Sequence, residues 1–503
     1  MGPVQTGGRR LNRLPGFARA EFPLPGFSDF VFEAGLVARS IGDYFSGGAL
    51  RLGVTGLSRS GKTVFLTALV NNLIAGARLP VLAASAEGRI MRARLEPQPD
   101  DAVPRFAYEE HQASLSGPDR RWPQSTRRIA QLRLTIEFES AAGWVGGSSS
   151  LKLDLVDYPG EWLLDLPLLD KSYAEWSRET LAASETPARA PLSEKWRQAL
   201  VGLDPQADAS EDAARRIAEL FTAYLKRARD DVYALSTLPP GRFLMPGDLE
   251  GSPALTFAPI ALADDAALAP GSLAAMMARR YEAYKAHVVR PFFRDHFARL
   301  DRQIVLVDPL SALNSGPAAV ADLENALSDV MRAFRAGRAS RLSSIFRPRI
   351  DRILFAATKA DHLHHTSHDR LEAILRALTG KAIARAEGVG AEIDVIALAA
   401  VRATREAEIR TGGETLDAII GVPEKGETIG GQIFDGVAEA AVFPGELPAD
   451  PDAIFNGDGI ALPEADNDWR FVRFRPPLTQ RGEPAPQIRL DRALQFLIGD
   501  RLA

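Results

Sequence analysis

Cysteine is absent from this 503-residue chain, which excludes disulfides, thiolate zinc sites and cysteine nucleophiles. Long apolar runs are absent as well, since none reaches the roughly 18 to 20 residues that a helix needs to cross a bilayer. Arg9, Arg10 and Arg13 lie near the N-terminus without the apolar stretch of a secretory signal behind them. The sequence therefore predicts a cytoplasmic protein, or one that is peripheral to a membrane.

An excess of positive charge is also missing, because the formal net charge is -5. We therefore expect no nucleic-acid binding. The rest of the composition, 46% hydrophobic and 25% charged, is that of an ordinary soluble globular protein. The chain is longer than one compact core usually holds, which predicts a principal domain with elaborations.

The strongest local motif is the string GLSRSGKT at 56–63, which matches G-x-x-x-x-G-K-[ST] in full. An apolar strand pattern precedes it and an apolar helix pattern follows it. Backbone N–H groups and the helix dipole favour phosphate there, Lys62 adds positive charge, and the Thr63 hydroxyl is a Mg²⁺ ligand. The predicted nucleotide contacts in this segment are Ser58, Arg59, Ser60, Gly61, Lys62, Thr63 and Val64.

The string TKAD at 358–361 follows an apolar strand pattern and predicts the choice of base. The Asp361 carboxylate can accept hydrogen bonds from the N1–H and the 2-amino group of guanine, and adenine offers neither donor in that geometry. Lys359 can lie along the base, and Thr358 can tie this loop to the phosphate loop. These residues favour GTP and GDP over ATP.

A last base contact is expected after the strand pattern at 393–398. Ala399, Ala400 and Val401 follow it, and we predict that a backbone N–H of Ala400 or Val401 bonds the guanine O6. This placement depends only on the order of the segments along the chain.

The string DYPG at 157–160 fits D-x-x-G at the end of another strand pattern. Asp157 is predicted to hold Mg²⁺ through water, and the Gly160 N–H to bond the γ-phosphate. Asp154 is the competing acid, but no glycine follows it at the right distance. Glu161 stands where a glutamine often orients the attacking water, so the pattern leaves slow catalysis open.

The segment at 122–128 precedes the first strand of a predicted hairpin and occupies the position of a first switch. Thr126 is the predicted Mg²⁺ ligand, with Ser125 as the alternative. Arg127 is the candidate for stabilising transition-state charge in cis, and Arg121 and Arg128 are the alternatives. An exposed basic loop is the competing interpretation of these arginines, and the sequence favours it.

Four of the seven histidines lie close together, just after the base motif. Such tracts can bind metal. The sequence favours helix capping or exposed packing over a metal site for these residues, which are His362, His364, His365 and His368.

Strand patterns alternate with helical patterns along much of the chain, which indicates an α/β fold with a mostly parallel sheet. The interval 164–300 is helical in character, and 412–503 suggests a small β-rich or irregular region with a final helix. The predicted segments are 1–48 (N-terminal arm and helix), 49–163 (first part of the G domain, with an insertion at 77–121), 164–300 (helical insertion), 301–411 (second part of the G domain) and 412–503 (C-terminal region).

The order of these motifs resembles that of Ras-like GTPases, and the chain from about residue 30 onward resembles the bacterial YcjX family of stress-associated P-loop GTPases. The strings that carry this resemblance are GLSRSGKT at 56–63, RWPQSTRRI at 121–129, LVDYPGEW at 155–162, QIVLVDPLSALNSG at 303–316, TKADHLHH at 358–365 and ALAAVRAT at 397–404. The resemblance implies a Ras-like core with helices on both faces of the sheet, an inserted helical region and a nucleotide-driven switch. It also implies a link to envelope or phage-shock-type stress and an inner-membrane partner of the YcjF kind.

Three functions remain open at this point. The first is a Mg²⁺-dependent GTPase switch, and the second is a P-loop ATPase or kinase, which would have no need of Asp361. The third is a nucleotide-gated scaffold with little hydrolysis, which Glu161 keeps open.

Overall fold

The computed structural model describes residue 2 and residues 48–503, apart from 58–59, 99, 125, 127, 142–146, 231–232, 263–267, 334–349, 388–389, 412–413, 430 and 456–471. The predicted helix at 31–45 lies outside the described residues. So do four of the predicted site residues, namely Ser58, Arg59, Ser125 and Arg127.

A seven-stranded sheet forms the centre of the unit Ala49–Ala503. Its strands are β1 (Leu50–Gly56), β2 (Ile90–Leu95), β3 (Ala130–Glu139), β4 (Ser148–Asp157), β5 (Arg302–Val307), β6 (Arg352–Ala357) and β7 (Glu392–Ala397). Their order across the sheet is β2-β3-β4-β1-β5-β6-β7. Strands β4, β1, β5, β6 and β7 are parallel, while β3 is antiparallel to both β2 and β4. The predicted α/β fold with a mixed, mostly parallel sheet is confirmed.

The central strands are continuous apolar runs because both of their faces are covered. All six residues of β5 are buried, with Ile304 and Leu306 packing on one face and Val305 and Val307 on the other. Strand β2 was not predicted, because it is an edge strand whose Arg92 and Arg94 side chains are exposed.

Helices cover both faces of this sheet. The helices are α1 (Lys62–Ile74), α2 (Ala83–Ala86), α3 (Tyr108–Leu115), α4 (Tyr173–Ser184), α5 (Ala190–Val201), α6 (Glu211–Ala228), α7 (Gly241–Leu244), α8 (Leu273–Tyr284), α9 (Arg290–Asp295), α10 (Pro309–Ser315), α11 (Pro317–Ala333), α12 (His368–Glu387) and α13 (Leu490–Ile498). Helices α1 and α13 share one apolar core with the sheet, and α10, α11 and α12 share another core with its opposite face. None of the helices in the described part of the chain combines the length and the apolar character needed to span a membrane.

The helical insertion follows β4. It starts with a 3₁₀ segment, Gly160–Asp170, and continues through α4 to α9, with a π-helical stretch at Lys285–Val289 between α8 and α9. Its core is aromatic, and the rings of Trp176 and Tyr281 stack with centroids 5.0 Å apart. Val156 and Tyr158 from the end of β4 belong to the same core. The residues that follow Asp157 are therefore packed inside the insertion.

The C-terminal region is β-rich, as predicted. Strands β8 (Arg405–Thr411), β9 (Glu414–Gly421) and β12 (Ala440–Val442) form an antiparallel sheet of order β12-β9-β8, and β10 (Thr428–Ile429) pairs with β11 (Gln432–Ile433). The boundaries between the five predicted segments stay a prediction.

Candidate functional site

The loop between β1 and α1 folds around the amine of Lys62. Gly61 adopts the left-handed conformation at φ +83 and caps α1. A Cβ on Gly56 would strike the Ser60 side chain and the Leu306 carbonyl oxygen, so only glycine fits there. Lys62 Nζ donates to the carbonyl oxygens of Gly56 at 2.8 Å and Leu57 at 3.4 Å. These contacts give the loop the tight turn that its glycines predict.

The chemistry of this loop suits an anion. Burial lowers the pKa of Lys62, although the negative charges of Glu161 and Asp157 oppose the shift. The Ser60 hydroxyl is buried without a hydrogen-bond partner. A positive side chain and the first N–H groups of α1 lie side by side, which is the arrangement in which proteins bind phosphate.

The three predicted metal-binding residues lie together beside Lys62. Thr63 Oγ1 is 3.1 Å from Thr126 Oγ1, and the Thr126 hydroxyl donates to Asp157 Oδ2 at 2.5 Å. They come from the start of α1, the loop before β3 and the end of β4. Neighbouring strands bring these three segments to one edge of the sheet.

The Asp157 carboxylate is among the buried polar groups in the described part of the chain that have an atom without a partner. Its Oδ1 atom is buried and makes no hydrogen bond, which is unusual for a buried oxygen. Burial raises the pKa of Asp157 to about 6, while the Thr126 hydroxyl and the charge of Lys62 act against the shift. A free carboxylate oxygen beside two hydroxyl groups is a set of donors that Mg²⁺ prefers, so these residues fit that ion.

Gly160 touches the phosphate loop directly. A Cβ at this position would collide with the Gly56 carbonyl group and lie 3.0 Å from Lys62 Nζ. Any side chain here would therefore separate the segment after β4 from the loop after β1.

Glu161 is buried, and it pairs with a residue that sequence reasoning missed. Its Oε1 atom accepts a hydrogen bond from Arg229 Nη1 at 3.2 Å. Arg229 directly follows α6, 68 residues further along the chain. It belongs to no recognisable motif, and only the packing of the insertion brings it to Glu161.

The insertion also holds the residues that follow Glu161. Asp165 accepts hydrogen bonds from the Gly241 N–H and from the Tyr284 hydroxyl, both at 2.7 Å. Burial raises the pKa of Asp165 to about 7. The Arg242 guanidinium lies 3.2 Å from the centre of the Trp162 ring. The 3₁₀ segment is thus attached to the insertion by a buried carboxyl group and by a cation–π contact.

The residues of the TKAD string lie at the carboxyl end of β6. The Thr358 hydroxyl donates to the Val307 carbonyl oxygen, at the end of β5, at 3.0 Å. It therefore contacts β5 and not the phosphate loop, which was its predicted partner. Lys359 Nζ pairs with Asp308 Oδ2 at 2.5 Å. Sequence reasoning missed this ion pair, because Asp308 follows a different strand, β5.

Asp361 is buried and connects the loops that follow β6 and β7. Its Oδ2 atom accepts the N–H of Ala403 at 2.8 Å, and its own carbonyl oxygen accepts the Thr404 hydroxyl. Because Ala403 takes one carboxylate oxygen, the other oxygen is the one that remains for a ligand.

The predicted last base contact lies beside the phosphate-loop helix. The Ala399 N–H is already bonded to the Ile488 carbonyl oxygen at 3.1 Å, whereas Ala400 and Val401 share a small apolar cluster with Val64 and Ala68 of α1. The loop after β7 and the helix that follows the phosphate loop therefore meet through this cluster.

The two described arginines of the first switch segment, Arg121 and Arg128, are exposed. Two of the histidines that follow the base motif have structural contacts. The buried His362 ring packs edge-on against Phe474 at 5.6 Å, and His368 Nε2 lies 2.9 Å from the Ala360 carbonyl oxygen.

The phosphate-loop strand at the centre of the sheet, the D-x-x-G motif on its neighbour and the base loop after β6 together define a Ras-like P-loop protein. The chain matches the model of the YcjX-like family, DUF463, over residues 50–502, and it belongs to that family. The chain is 41% identical over 467 residues to the Ras-like GTPase YcjX of Escherichia coli (strain K12), and the alignment covers 90% of this chain and 96% of that relative. It is 34% identical over 482 residues to the Ras-like GTPase YcjX of Shewanella oneidensis, and this alignment covers 90% of this chain and 94% of that relative.

Proposed function

We propose that this protein binds GTP and GDP with Mg²⁺, hydrolyses GTP and changes conformation with the bound nucleotide. The observation that carries the proposal is the cluster of Thr63, Thr126 and Asp157 beside Lys62, with one buried carboxylate oxygen left without a partner. The printed names of both relatives, Ras-like GTPase, support the same activity.

In this proposal the phosphates bind the segment from Ser58 to Val64, with Lys62 neutralising the β- and γ-phosphates. Thr63, Thr126 and Asp157 hold Mg²⁺, which neutralises charge on the phosphate oxygens when it is bound. The N–H of Gly160 bonds the γ-phosphate. Its close approach to Gly56 and Lys62 supports that role.

Guanine is selected by Asp361, whose free carboxylate oxygen faces the N1–H and the 2-amino group. Lys359 lies along the base and is held by Asp308. A backbone N–H of Ala400 or Val401 bonds O6. An adenine base would leave the buried carboxylate without donors, and a site of this kind rejects such a ligand.

Hydrolysis requires an oriented water molecule, and we assign that task to Glu161 with Arg127 stabilising transition-state charge. Arg229 fixes the Glu161 carboxylate and so acts as a positioning residue. The same ion pair favours the second candidate function, a nucleotide-gated scaffold with little hydrolysis, if it keeps the carboxylate turned toward the insertion.

The switch is proposed to comprise residues 121–129 and 157–175. Most of the segment Gly160–Asp170 is buried in the core of the insertion. A movement of this segment would expose apolar side chains unless the insertion moved with it, and such exposure is costly. Nucleotide state is therefore transmitted to the insertion, which in turn changes the affinity for a partner.

The family resemblance supports several further proposals. These are a role in the envelope stress response, an inner-membrane partner of the YcjF kind, and a cytoplasmic location, peripheral to the inner membrane when the partner is bound. The five-segment division of the chain is proposed from the strand and helix patterns along the sequence.

Single-turnover hydrolysis tests the enzymatic part of the proposal. Excess protein is mixed with GTP and Mg²⁺, and the formation of GDP is followed over time. We expect conversion to GDP by the unmodified protein, and Glu161→Ala is expected to keep GTP binding while losing hydrolysis. Glu219→Ala, an exposed change on α6, is the matched control.

Two results would change the assignment. Bound GTP that stays intact would favour the scaffold over the GTPase. Failure to bind any guanine nucleotide, with Lys62→Ala behaving like the unmodified protein, would contradict the whole proposal.

A further inference from the structure

Two histidines and a glutamate form a cluster outside the nucleotide site. His364 and His365 follow the base motif in sequence, and Glu406 lies on β8. One potential ligand atom from each of the three residues lies within 4.8 Å of the other two. The function proposed above makes no use of this cluster.

The spacing of the ligand atoms is close to that of a coordination sphere. His365 Nδ1 is 2.8 Å from Glu406 Oε2, and the rings of His364 and His365 have centroids 4.3 Å apart. Two ligand atoms that bind one Zn²⁺ ion tetrahedrally at bond lengths of about 2.0 to 2.2 Å lie about 3.3 to 3.6 Å apart. An ion could therefore enter once the separations of the ligand atoms, all within 4.8 Å, change by up to about 1.5 Å.

A second carboxylate orients one of the rings. His364 Nδ1 lies 3.0 Å from the Thr366 hydroxyl, which donates to Asp417 Oδ2 on β9 at 2.9 Å. That carboxylate oxygen is itself 3.3 Å from His364 Nδ1. A contact at Nδ1 leaves Nε2 of His364 as the ligand atom. Histidines that bind metal commonly have their other ring nitrogen held by a hydrogen bond, and here that bond runs to Thr366, with the Asp417 carboxylate behind it.

The exposure of the cluster allows a cation to enter. The His364 side chain is 11% exposed and His365 63%, so the ligands face solvent on one side. Arg402 contacts Oε1 of Glu406 at 3.4 Å and leaves Oε2 to the histidines. Two imidazoles and one carboxylate suit Zn²⁺, Co²⁺ or Ni²⁺, whereas Mg²⁺ and Ca²⁺ prefer oxygen ligands alone.

We propose that His364, His365 and Glu406 bind a divalent transition-metal ion, with Asp417 orienting His364. The ion joins the segment after the base motif to the β8–β9 pair. The loop leading into β8 already contacts Asp361 through Ala403 and Thr404. The metal therefore crosslinks the segment after the base motif to the sheet formed by β8, β9 and β12. This inference does not depend on GTP hydrolysis.

Metal titration of the tag-free, full-length protein tests the proposal. The protein is treated with EDTA, desalted and titrated with Zn²⁺ by calorimetry in millimolar Mg²⁺, which occupies the predicted Mg²⁺ site. We expect one equivalent of Zn²⁺ to bind, and His364→Ala/His365→Ala to lose that equivalent. His287→Ala, an exposed histidine of the insertion, is expected to keep it. Co²⁺ in place of Zn²⁺ reports the coordination geometry by its visible absorption.

Asp417→Asn keeps all three ligands and serves if the double variant fails to fold. We expect it to weaken Zn²⁺ binding roughly 10- to 100-fold, the usual cost of losing a carboxylate behind a ligating histidine. The proposal is overturned if the unmodified protein binds no equivalent of Zn²⁺, or if both His364→Ala/His365→Ala and Asp417→Asn bind Zn²⁺ as the unmodified protein does.

Discussion

Replacing Asp361 by asparagine is expected to change which nucleotide the protein binds. The N–H of Ala403 donates to Asp361 Oδ2 at 2.8 Å, so the amide oxygen of asparagine takes that position and its NH₂ group faces the base. The N1–H and the 2-amino group of guanine then face the NH₂ group of asparagine, which is also a donor, and both hydrogen bonds are lost. Xanthine carries an oxygen in place of the 2-amino group and can accept from the amide.

The size of the effect follows from the two hydrogen bonds that are lost. A hydrogen bond to a charged group contributes about 1.5 to 3 kcal/mol. Two such bonds amount to about 3 to 6 kcal/mol, which corresponds to a roughly 10²- to 10⁴-fold weaker Kd for GDP. Because Asp361 is buried, water does not replace the lost partners easily.

Calorimetric titration with GDP and with xanthosine diphosphate measures the change. Asp361→Asn should bind the xanthine nucleotide more tightly than GDP, and the unmodified protein should show the opposite order. Asp369→Asn, an exposed change at the start of α12, should bind both nucleotides as the unmodified protein does. An unchanged preference for GDP in Asp361→Asn would refute the assignment of the base site.

Three further variants test other parts of the account. Thr126→Ala removes a predicted Mg²⁺ ligand. Calorimetry should show that the affinity for GTP with Mg²⁺ falls at least roughly tenfold, while the affinity for GDP is unchanged. An equal loss of affinity for GTP and GDP would argue against that role. Gly160→Ala places a Cβ against the phosphate loop and should lower the free energy of unfolding by about 1 to 3 kcal/mol, whereas Gly380→Ala in α12, where a Cβ meets open space, should not lower it. Burial raises the pKa of Asp165 from 3.8 to about 7. Between these two values the folded chain keeps a proton that the unfolded chain releases. The free energy of unfolding therefore falls as pH rises from about 4 to 7. Urea titrations at several pH values should show a shallower fall for Asp165→Asn, and an identical pH dependence in both proteins would contradict the buried-acid interpretation.

Much of the sheet could be predicted because its strands are short apolar runs that end in recognisable motifs. Strand β1 ends at Gly56 and β4 ends at Asp157, and parallel pairing of these two strands brings the ends of both to the same edge. The grouping of Thr63 with Asp157 follows from that pairing.

Strand β2 could not be predicted in the same way, because its apolar face is small and interrupted. Ala93 is buried in the core and Leu95 packs beside it, but Met91 is exposed. Arg92 and Arg94 both bond Glu137 on β3, at 2.7 and 3.3 Å. Period-2 patterns are visible only where one face of a strand is buried against a core. An edge strand stabilised through its neighbour shows little of that pattern.

Contacts between distant segments were the other features that the sequence did not reveal. Arg229 reaches Glu161 only because the insertion folds back over the end of β4. His365 reaches Glu406 across 41 residues, and the sequence pattern favoured capping or exposed packing for this histidine. In neither pair are the two residues separated by a fixed spacing that would allow one to be predicted from the other.

The most direct test of the central claim is a calorimetric titration of the unmodified protein with GTP, GDP and ATP in the presence of Mg²⁺. We expect both guanine nucleotides to bind and ATP to bind far more weakly, because Asp361 offers only acceptors to the base. ATP binding as tight as GTP binding, or tighter, would contradict it and would place the protein among the P-loop ATPases.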